Sequence, residues 1–197
     1  AHIISYINEI FPSASIDILC HETDAFDKSK FAGKEFVQML EKEFGLSIKN
    51  TTVRFVDFDF NQKGLIGRTR YLNKLSSITK EYDLFINNTY ASLLPARAKV
   101  SIYSCMFPMK LDHFGASLVR PFLRLFYNRF LTSYDLFLSI SQYTQKWVDT
   151  YWKVNSYVLY PPVKTKKDSL NPCKDNIIVN VGRFFASGHN KKQDVMV

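Results

Sequence analysis

The sequence predicts an α/β protein: a Rossmann-like, mainly parallel sheet with helices on both faces, followed by the first strand, loop and helix of a second Rossmann-like domain. Three observations lead to this prediction. Short strand-type apolar segments alternate along the chain with amphipathic helical segments. The 46% hydrophobic and 15% aromatic content is sufficient to bury a core in a chain of 197 residues. A stretch rich in lysine and proline separates this body from a last strand-like segment.

The predicted strands are short runs of aliphatic and aromatic residues bounded by polar turns. They cover residues 16–20, 53–56, 83–87, 99–103, 134–140, 157–160 and 176–181. Helical segments separate most of these strands, and connections of that kind are typical of parallel pairing.

The predicted helices carry apolar residues three and four positions apart. They cover residues 2–10, 32–44, 65–80, 117–131, 142–151 and, at the end of the chain, 191–197. Ser141 is expected to cap the fifth helix, because a serine hydroxyl accepts a hydrogen bond from an unpaired amide of the first turn.

The helix over residues 117–131 has a broad apolar face, with Arg120, Arg124 and Asn128 opposite and Arg129 interrupting it. The face comprises Leu118, Val119, Phe122, Leu123, Leu125, Phe126 and Phe130. Two interpretations are open. The helix either packs on the sheet or lies on an anionic membrane surface.

Three segments follow from these elements. The first domain is expected over residues 1–163, a linker over 164–175, and the start of a second domain over 176–197. The chain begins on a helix where such a fold normally begins on a strand, and it ends one helix into the second unit. Both ends are therefore expected to be truncated, with the usual first strand missing.

Charge and cysteine content narrow the function classes. The net charge is +8: residues 1–60 carry six basic and ten acidic side chains, and residues 61–197 carry twenty basic and eight acidic ones. A body with this excess of basic side chains suggests an anionic partner: a phosphorylated ligand, an anionic lipid or a nucleic acid.

Three widely spaced cysteines without a C-x-x-C pair argue against a disulfide framework or structural zinc. With no apolar run of membrane-spanning length and no signal peptide, we expect a cytoplasmic protein, with binding to the inner face of the membrane as an open possibility.

The most informative stretch, residues 180–193, runs from a strand through a loop with two glycines into a helix. Gly182 lets the backbone approach an anion closely, and a helix N-terminus adds free amides and partial positive charge. Arg183 on one side and Lys191 or Lys192 on the other would neutralise a diphosphate. The other interpretation is an ordinary turn with solvated lysines.

A second candidate stretch, residues 104–110, follows a predicted strand at the carboxyl edge, where open α/β sheets bind ligands. Asn88, which follows the preceding strand, and Met106, Phe107 and Pro108 are candidates for the wall of a ligand cleft. Cys105 is not favoured as a nucleophile, because no paired histidine is near it in the sequence. His113 is more typical of a structural histidine than of a substrate contact.

Residues 181–184 (V-G-R-F) and 188–193 (G-H-N-K-K-Q), after Y-P-P-V at 160–163, resemble family-four glycosyltransferases, which have the two-domain GT-B fold. In that family Y-P-P-V ends the acceptor domain and V-G-R-F opens the donor domain. Residues 82–86 and 134–144 are similar to further family elements. The resemblance covers most of residues 80–197.

The resemblance implies that Arg183 and Lys191, with Lys192 as the neighbouring alternative, contact the diphosphate of a nucleotide-sugar, and that Gly182 allows its close approach. It also implies transfer of a hexose to a glycan or lipid-linked acceptor with retention of configuration, without a metal or other cofactor. The family's E-x(7)-E carboxylates would lie beyond residue 197. The catalytic residues are therefore not identified, and the chain alone is expected to be inactive.

A second hypothesis is that the chain is not an enzyme. In this hypothesis the chain is a basic α/β module that docks on an anionic membrane or on RNA. Nucleic acid is the weaker version, because the aromatic residues are typical of a core and no known RNA-binding motif is present.

Overall fold

The computed structural model describes residues 1–21, 33–56, 65–110 and 120–163, together with Asn176. The chain divides into two compact units, Ala1–Pro162 and Val163–Val197. The predicted linker and, apart from Asn176, the predicted start of a second domain lie outside the described residues, as does His113.

The described residues form six strands and five helices. The strands are β1 (Ile16–His21), β2 (Thr51–Val56), β3 (Leu84–Asn87), β4 (Val100–Cys105), β5 (Leu136–Ser139) and β6 (Tyr157–Val158). The helices are α1 (His2–Ile10), α2 (Lys34–Phe44), α3 (Leu65–Thr79), α4 (Arg120–Leu131) and α5 (Gln142–Trp152).

Every strand pair is parallel. β1 pairs with β2 in one sheet, and the other sheet has the order β3-β4-β5-β6. The prediction of a Rossmann-like α/β fold built on parallel strands is therefore confirmed, although the strands divide between two sheets. Since parallel strands point the same way, the ends of β3 to β6 and the segments that follow them lie at one carboxyl edge.

Contacts at the amino ends of the strands connect the two sheets. The Tyr82 hydroxyl, just before β3, donates to the Asp17 carboxylate of β1 at 2.8 Å. The Arg54 guanidinium of β2 donates to Glu81 at 2.7 Å and to the Tyr82 hydroxyl at 3.2 Å. Asp17 and Glu81 thus lie near the amino ends of β1 and β3, and the Arg54 side chain reaches Glu81 from within β2.

An aromatic core lies beneath β4 and β5 and is centred on Tyr103 of β4. Its ring makes edge-to-face contacts with Phe130 of α4, Tyr134 and Trp152 of α5, with centroid separations of 5.2, 5.3 and 5.5 Å. Phe130 and Val148 are fully buried in the same cluster. Large rings in this arrangement bury much apolar area and add favourable quadrupole contacts, so both helices are fixed against the sheet.

A smaller cluster joins the β2 strand to α3. Val56, Leu75 and Leu94 are buried in it, with Leu72 and Ile78 packed alongside. Leu72, Leu75 and Ile78 thus lie on one side of this helix, with the three- and four-residue spacing expected of an amphipathic helix.

The predicted apolar face of α4 was too broad. Tyr127 and Phe130 are buried, whereas Leu125 is 69% exposed. Five residues at 3.6 per turn place Leu125 about 140° from Phe130 around the axis, so it lies on the solvent side. Its neighbours Arg124 and Arg129 are also exposed.

Two local features concern the segments after β4 and β5. Strand β4 continues to Cys105, two residues past the predicted end. Ser141 is the N-cap of α5 as predicted, since its hydroxyl accepts from the Thr144 amide at 3.1 Å.

Among the helices in the described part of the chain, none has the length and apolar character needed to cross a bilayer.

Candidate functional site at the carboxyl edge of the four-stranded sheet

The residues predicted to bind a diphosphate, Gly182, Arg183, Lys191 and Lys192, lie outside the described residues. Their role stays a prediction. The four residues predicted for the cleft wall, Asn88, Met106, Phe107 and Pro108, are all described and all follow strand ends at the carboxyl edge.

These four side chains differ in how accessible they are. Asn88 is exposed immediately after β3. Met106 and Phe107 are 37% and 38% exposed directly after β4, whereas Pro108 is fully buried. Pro108 is therefore packed inside the protein, and the other three side chains are accessible to a ligand.

A buried amide that the sequence analysis missed holds the loop after β3. Asn87 is 2% exposed, and its Nδ2 donates to the Tyr134 hydroxyl at 2.8 Å and to Ser92 Oγ at 3.2 Å. Its Oδ1 accepts from the Thr89 amide at 3.1 Å. Both donors and one acceptor position of this amide are used within the fold, so Asn87 positions the loop and Asn88 is the residue displayed to solvent.

Two tyrosine hydroxyls complete this network. Tyr134 Oη donates to the Leu94 carbonyl at 2.7 Å, and Tyr103 Oη donates to the Ser92 carbonyl at 2.9 Å. Burial raises the pKa of both phenols well above the usual range, so both remain donors at neutral pH. The core rings thus hold the backbone of residues 88–94 in place through their polar ends.

The same loop contains a backbone outlier. Ala91 has φ of 53°, in the left-handed region that a residue with a Cβ adopts at a cost of about 1 kcal/mol. The Asn87 and Tyr103 hydrogen bonds on either side offset that strain, which is consistent with a loop held in one conformation.

The segment after β4 lies along α5. Thr144 Oγ1 donates to the Met106 carbonyl at the start of the helix, and Trp152 Nε1 donates to the Met109 carbonyl at its end, both at 3.1 Å. The Lys110 ammonium lies over the ring of Tyr151, 5.9 Å from the centroid. These contacts fix Phe107 beside the first turns of α5.

Cys105, the last residue of β4, is unsuited to nucleophilic chemistry. Its side chain is 1% exposed, and burial raises the pKa of the thiol to about 12. At neutral pH the reactive thiolate is therefore almost absent. The expectation from the sequence agrees with this environment.

Charge is distributed unequally between the two edges of the four-stranded sheet. Residues 87–92, 105–110, 139–144 and 158–162 each begin with the last residue of a strand. They contain no Asp or Glu and a single cation, Lys110. At the amino edge Asp83 pairs with Lys99 at 2.6 Å, and Asp135 accepts from the Ser101 amide at 2.8 Å. The described residues of the carboxyl edge thus offer aromatic rings, hydroxyls and amides without a carboxylate to repel an anion. The described residues contain no group of three or more His, Cys, Asp or Glu side chains placed to hold a metal ion.

We predict that Tyr134→Phe destabilises the fold by about 1–3 kcal/mol, because it leaves the buried Leu94 carbonyl without its donor and removes one acceptor of Asn87. The free energy of unfolding from urea denaturation measures the effect. Tyr143→Phe is the matched control: Tyr143 is 65% exposed, and its change should stay within about 0.5 kcal/mol. Equal denaturation midpoints for the two variants would show that the network does not hold the loop.

The chain matches no protein-family model, no curated protein and no solved structure. The resemblance to family-four glycosyltransferases therefore rests on the motifs of the sequence alone. Together with the residues of the carboxyl edge, those motifs are the basis on which a function can be inferred.

Proposed function

We propose that the protein is a retaining, metal-independent glycosyltransferase that transfers a hexose from a nucleotide-sugar to a glycan or lipid-linked acceptor. In this proposal Arg183 and Lys191, with Lys192 as the neighbouring alternative, bind the donor diphosphate beside Gly182. Asn88, Met106 and Phe107 contact the acceptor at the carboxyl edge of the four-stranded sheet, and Pro108 is buried beside them.

The observation that carries the proposal is the sequence of residues 181–193, which is predicted to run from a strand through a turn into a helix. It combines two glycines, one arginine and two adjacent lysines in the order that suits a diphosphate at a helix N-terminus. The preceding Y-P-P-V at residues 160–163 makes the combination more specific than a glycine-containing turn alone. An all-parallel sheet supports the proposal because ligands bind at the carboxyl edge of such sheets.

The proposed catalytic contribution of Arg183 and Lys191 is electrostatic. In the transfer, the bond between the anomeric carbon and the diphosphate breaks while a bond to the acceptor hydroxyl oxygen forms, and the hydroxyl proton passes to an oxygen of the departing diphosphate. Negative charge develops on the departing diphosphate. A guanidinium and an ammonium held beside it stabilise that charge, which is the role a divalent ion has in metal-dependent transferases.

We predict that Arg183→Ala weakens nucleotide binding by about 1.5–3 kcal/mol, the usual contribution of a hydrogen bond to a charged group. The protein expressed from its complete reading frame is titrated calorimetrically with a panel of nucleoside diphosphates and nucleotide-sugars.

Arg97→Ala is the control for that titration. Arg97 is an exposed arginine in the loop before β4, and its side-chain removal should leave nucleotide affinity unchanged. Lys191→Ala and Lys192→Ala, measured in parallel, identify which lysine contacts the diphosphate. Equal affinity of the wild type and Arg183→Ala would remove Arg183 from the site and the proposal with it.

A second candidate function comes from α4. Leu125 is 69% exposed with Arg124 beside it, so this helix presents an apolar side chain between cations on its solvent side. Such a surface favours a basic module that docks on an anionic membrane, whether or not it also catalyses transfer.

This second function predicts salt-sensitive binding to vesicles of phosphatidylcholine and phosphatidylglycerol, since screening weakens attraction between the cations and the lipid. Sedimentation at low and high salt measures it. The double variant Leu125→Ala/Arg124→Gln should bind less, and Arg97→Gln should not differ from the wild type. Absence of salt-sensitive binding would eliminate the membrane-docking function.

A further inference from the structure

Four aromatic side chains form a continuous stripe that begins at the carboxyl edge of the sheet. They are Phe107, after β4, and Tyr143, Trp147 and Tyr151 of α5, hereafter the aromatic stripe. The α5 members are four residues apart and therefore share one face of the helix.

The rings of the aromatic stripe contact one another in sequence. Phe107 and Tyr143 are nearly parallel, with 26° between their planes and 6.3 Å between centroids. Tyr143 and Trp147 are 6.2 Å apart, and Trp147 and Tyr151 are 4.8 Å apart. Because the segment after β4 is hydrogen-bonded to both ends of α5, the rings are held in place before any ligand arrives.

The end of the stripe nearest the sheet edge is open to solvent. Tyr143 is 65% and Phe107 is 38% exposed, while Trp147 and Tyr151 are partly buried. The indole Nε1 of Trp147 is screened from water and has no acceptor among the described residues. Exposed rings of this size are not explained by core packing, since Val148 and Trp152 already form the buried side of the helix.

We propose that the aromatic stripe binds an uncharged sugar chain, with pyranose rings stacked on Tyr143 and Phe107 at the carboxyl edge. A pyranose presents C–H groups on its faces and hydroxyls around its rim. It therefore suits aromatic surfaces surrounded by neutral polar groups. The role of this sugar chain as the acceptor of transfer rests on the proposed function, whereas its binding to the aromatic stripe does not.

Charge favours a neutral glycan over a polyanion. Within the described residues 87–92, 105–110, 139–144 and 158–162, Lys110 is the one cation, and its ammonium is placed over Tyr151. On the exposed side of α5, Lys146 and Lys153 are accompanied by Asp149. Anionic membranes and RNA are recognised through clusters of Lys and Arg, and the stripe has no such cluster in the described part of the chain.

Hydroxyl and amide groups are exposed at the same sheet edge as the open end of the stripe. Gln142 is exposed beside Tyr143, and Asn88 and Thr89 are exposed after β3 at the same edge. These groups donate and accept hydrogen bonds without carrying charge, which matches the rim of a sugar ring.

Tryptophan fluorescence tests the inference directly, because the chain has two tryptophans and the other one, Trp152, is only 5% exposed. The full chain is titrated with maltotriose, cellotriose, chitotriose and mannotriose. We expect a saturable change with at least one of them. Tyr143→Ala should raise its Kd about three- to tenfold, the range that corresponds to losing one aromatic stacking partner.

Two variants serve as controls. Tyr143→Phe keeps the ring and should retain affinity within about twofold, since stacking does not need the hydroxyl. Tyr6→Ala removes a tyrosine of matched exposure, 63%, from α1 and should not change the Kd. Circular dichroism establishes that each variant is folded.

Three outcomes would overturn the inference: no saturable response to any of the trisaccharides, equal affinity in Tyr143→Ala, or Tyr143-dependent binding to phosphatidylglycerol vesicles in place of the sugars. Nucleotide titration of the same samples separates the two proposals. Tyr143-dependent glycan binding without an effect of Arg183→Ala on nucleotide affinity leaves a sugar-binding protein that is not a transferase. If Arg183→Ala weakens nucleotide binding but no glycan binding depends on Tyr143, the protein is a transferase whose acceptor binds elsewhere.

Discussion

The position of Tyr103 couples the core to the candidate site. Its ring is the centre of the aromatic core, in contact with Phe130, Tyr134 and Trp152, and its hydroxyl donates to the Ser92 carbonyl in the loop after β3. Tyr134 acts in the same way through Leu94. The apolar ends of these residues stabilise the fold, and their polar ends determine the conformation of a loop at the carboxyl edge. A change in the core would therefore alter the candidate site.

The two edges of the four-stranded sheet therefore carry different kinds of side chain. The amino edge carries ion pairs and capped backbone, such as Asp83 with Lys99 and Asp135 with the Ser101 amide. The carboxyl edge carries Asn88, Phe107 and Tyr143 and no carboxylate in its described residues. A ligand that approached this edge would meet rings, amides and hydroxyls held by buried hydrogen bonds. The proposed acceptor sugar would bind there, on the aromatic stripe.

Much of the fold could be predicted because its signals are local. Alternating strand and helix segments gave the parallel α/β architecture, and the Ser141 cap could be recognised from one residue before a helical pattern. The role of Asn87 could not, because it depends on Tyr134, which is 47 positions away and comes near only through the parallel pairing of β3, β4 and β5. Strand alternation, which places Asn87 on the same side as Phe85, was the one signal for its burial. Leu125 was expected on the broad apolar face of α4, but it lies about 140° around the helix axis from the buried Phe130 and is exposed.

Hydrogen–deuterium exchange of the protein expressed from its complete reading frame tests the central claim, that ligands bind at the carboxyl edge. Exchange is compared with and without a nucleotide-sugar and an oligosaccharide. The account predicts new protection of backbone amides in residues 88–92, 106–110, 141–145 and 182–192, and unchanged exchange at the amino edge around residues 81–83, 97–99 and 133–135. Protection confined to the amino edge, or the absence of protection in both regions at saturating ligand, would contradict it.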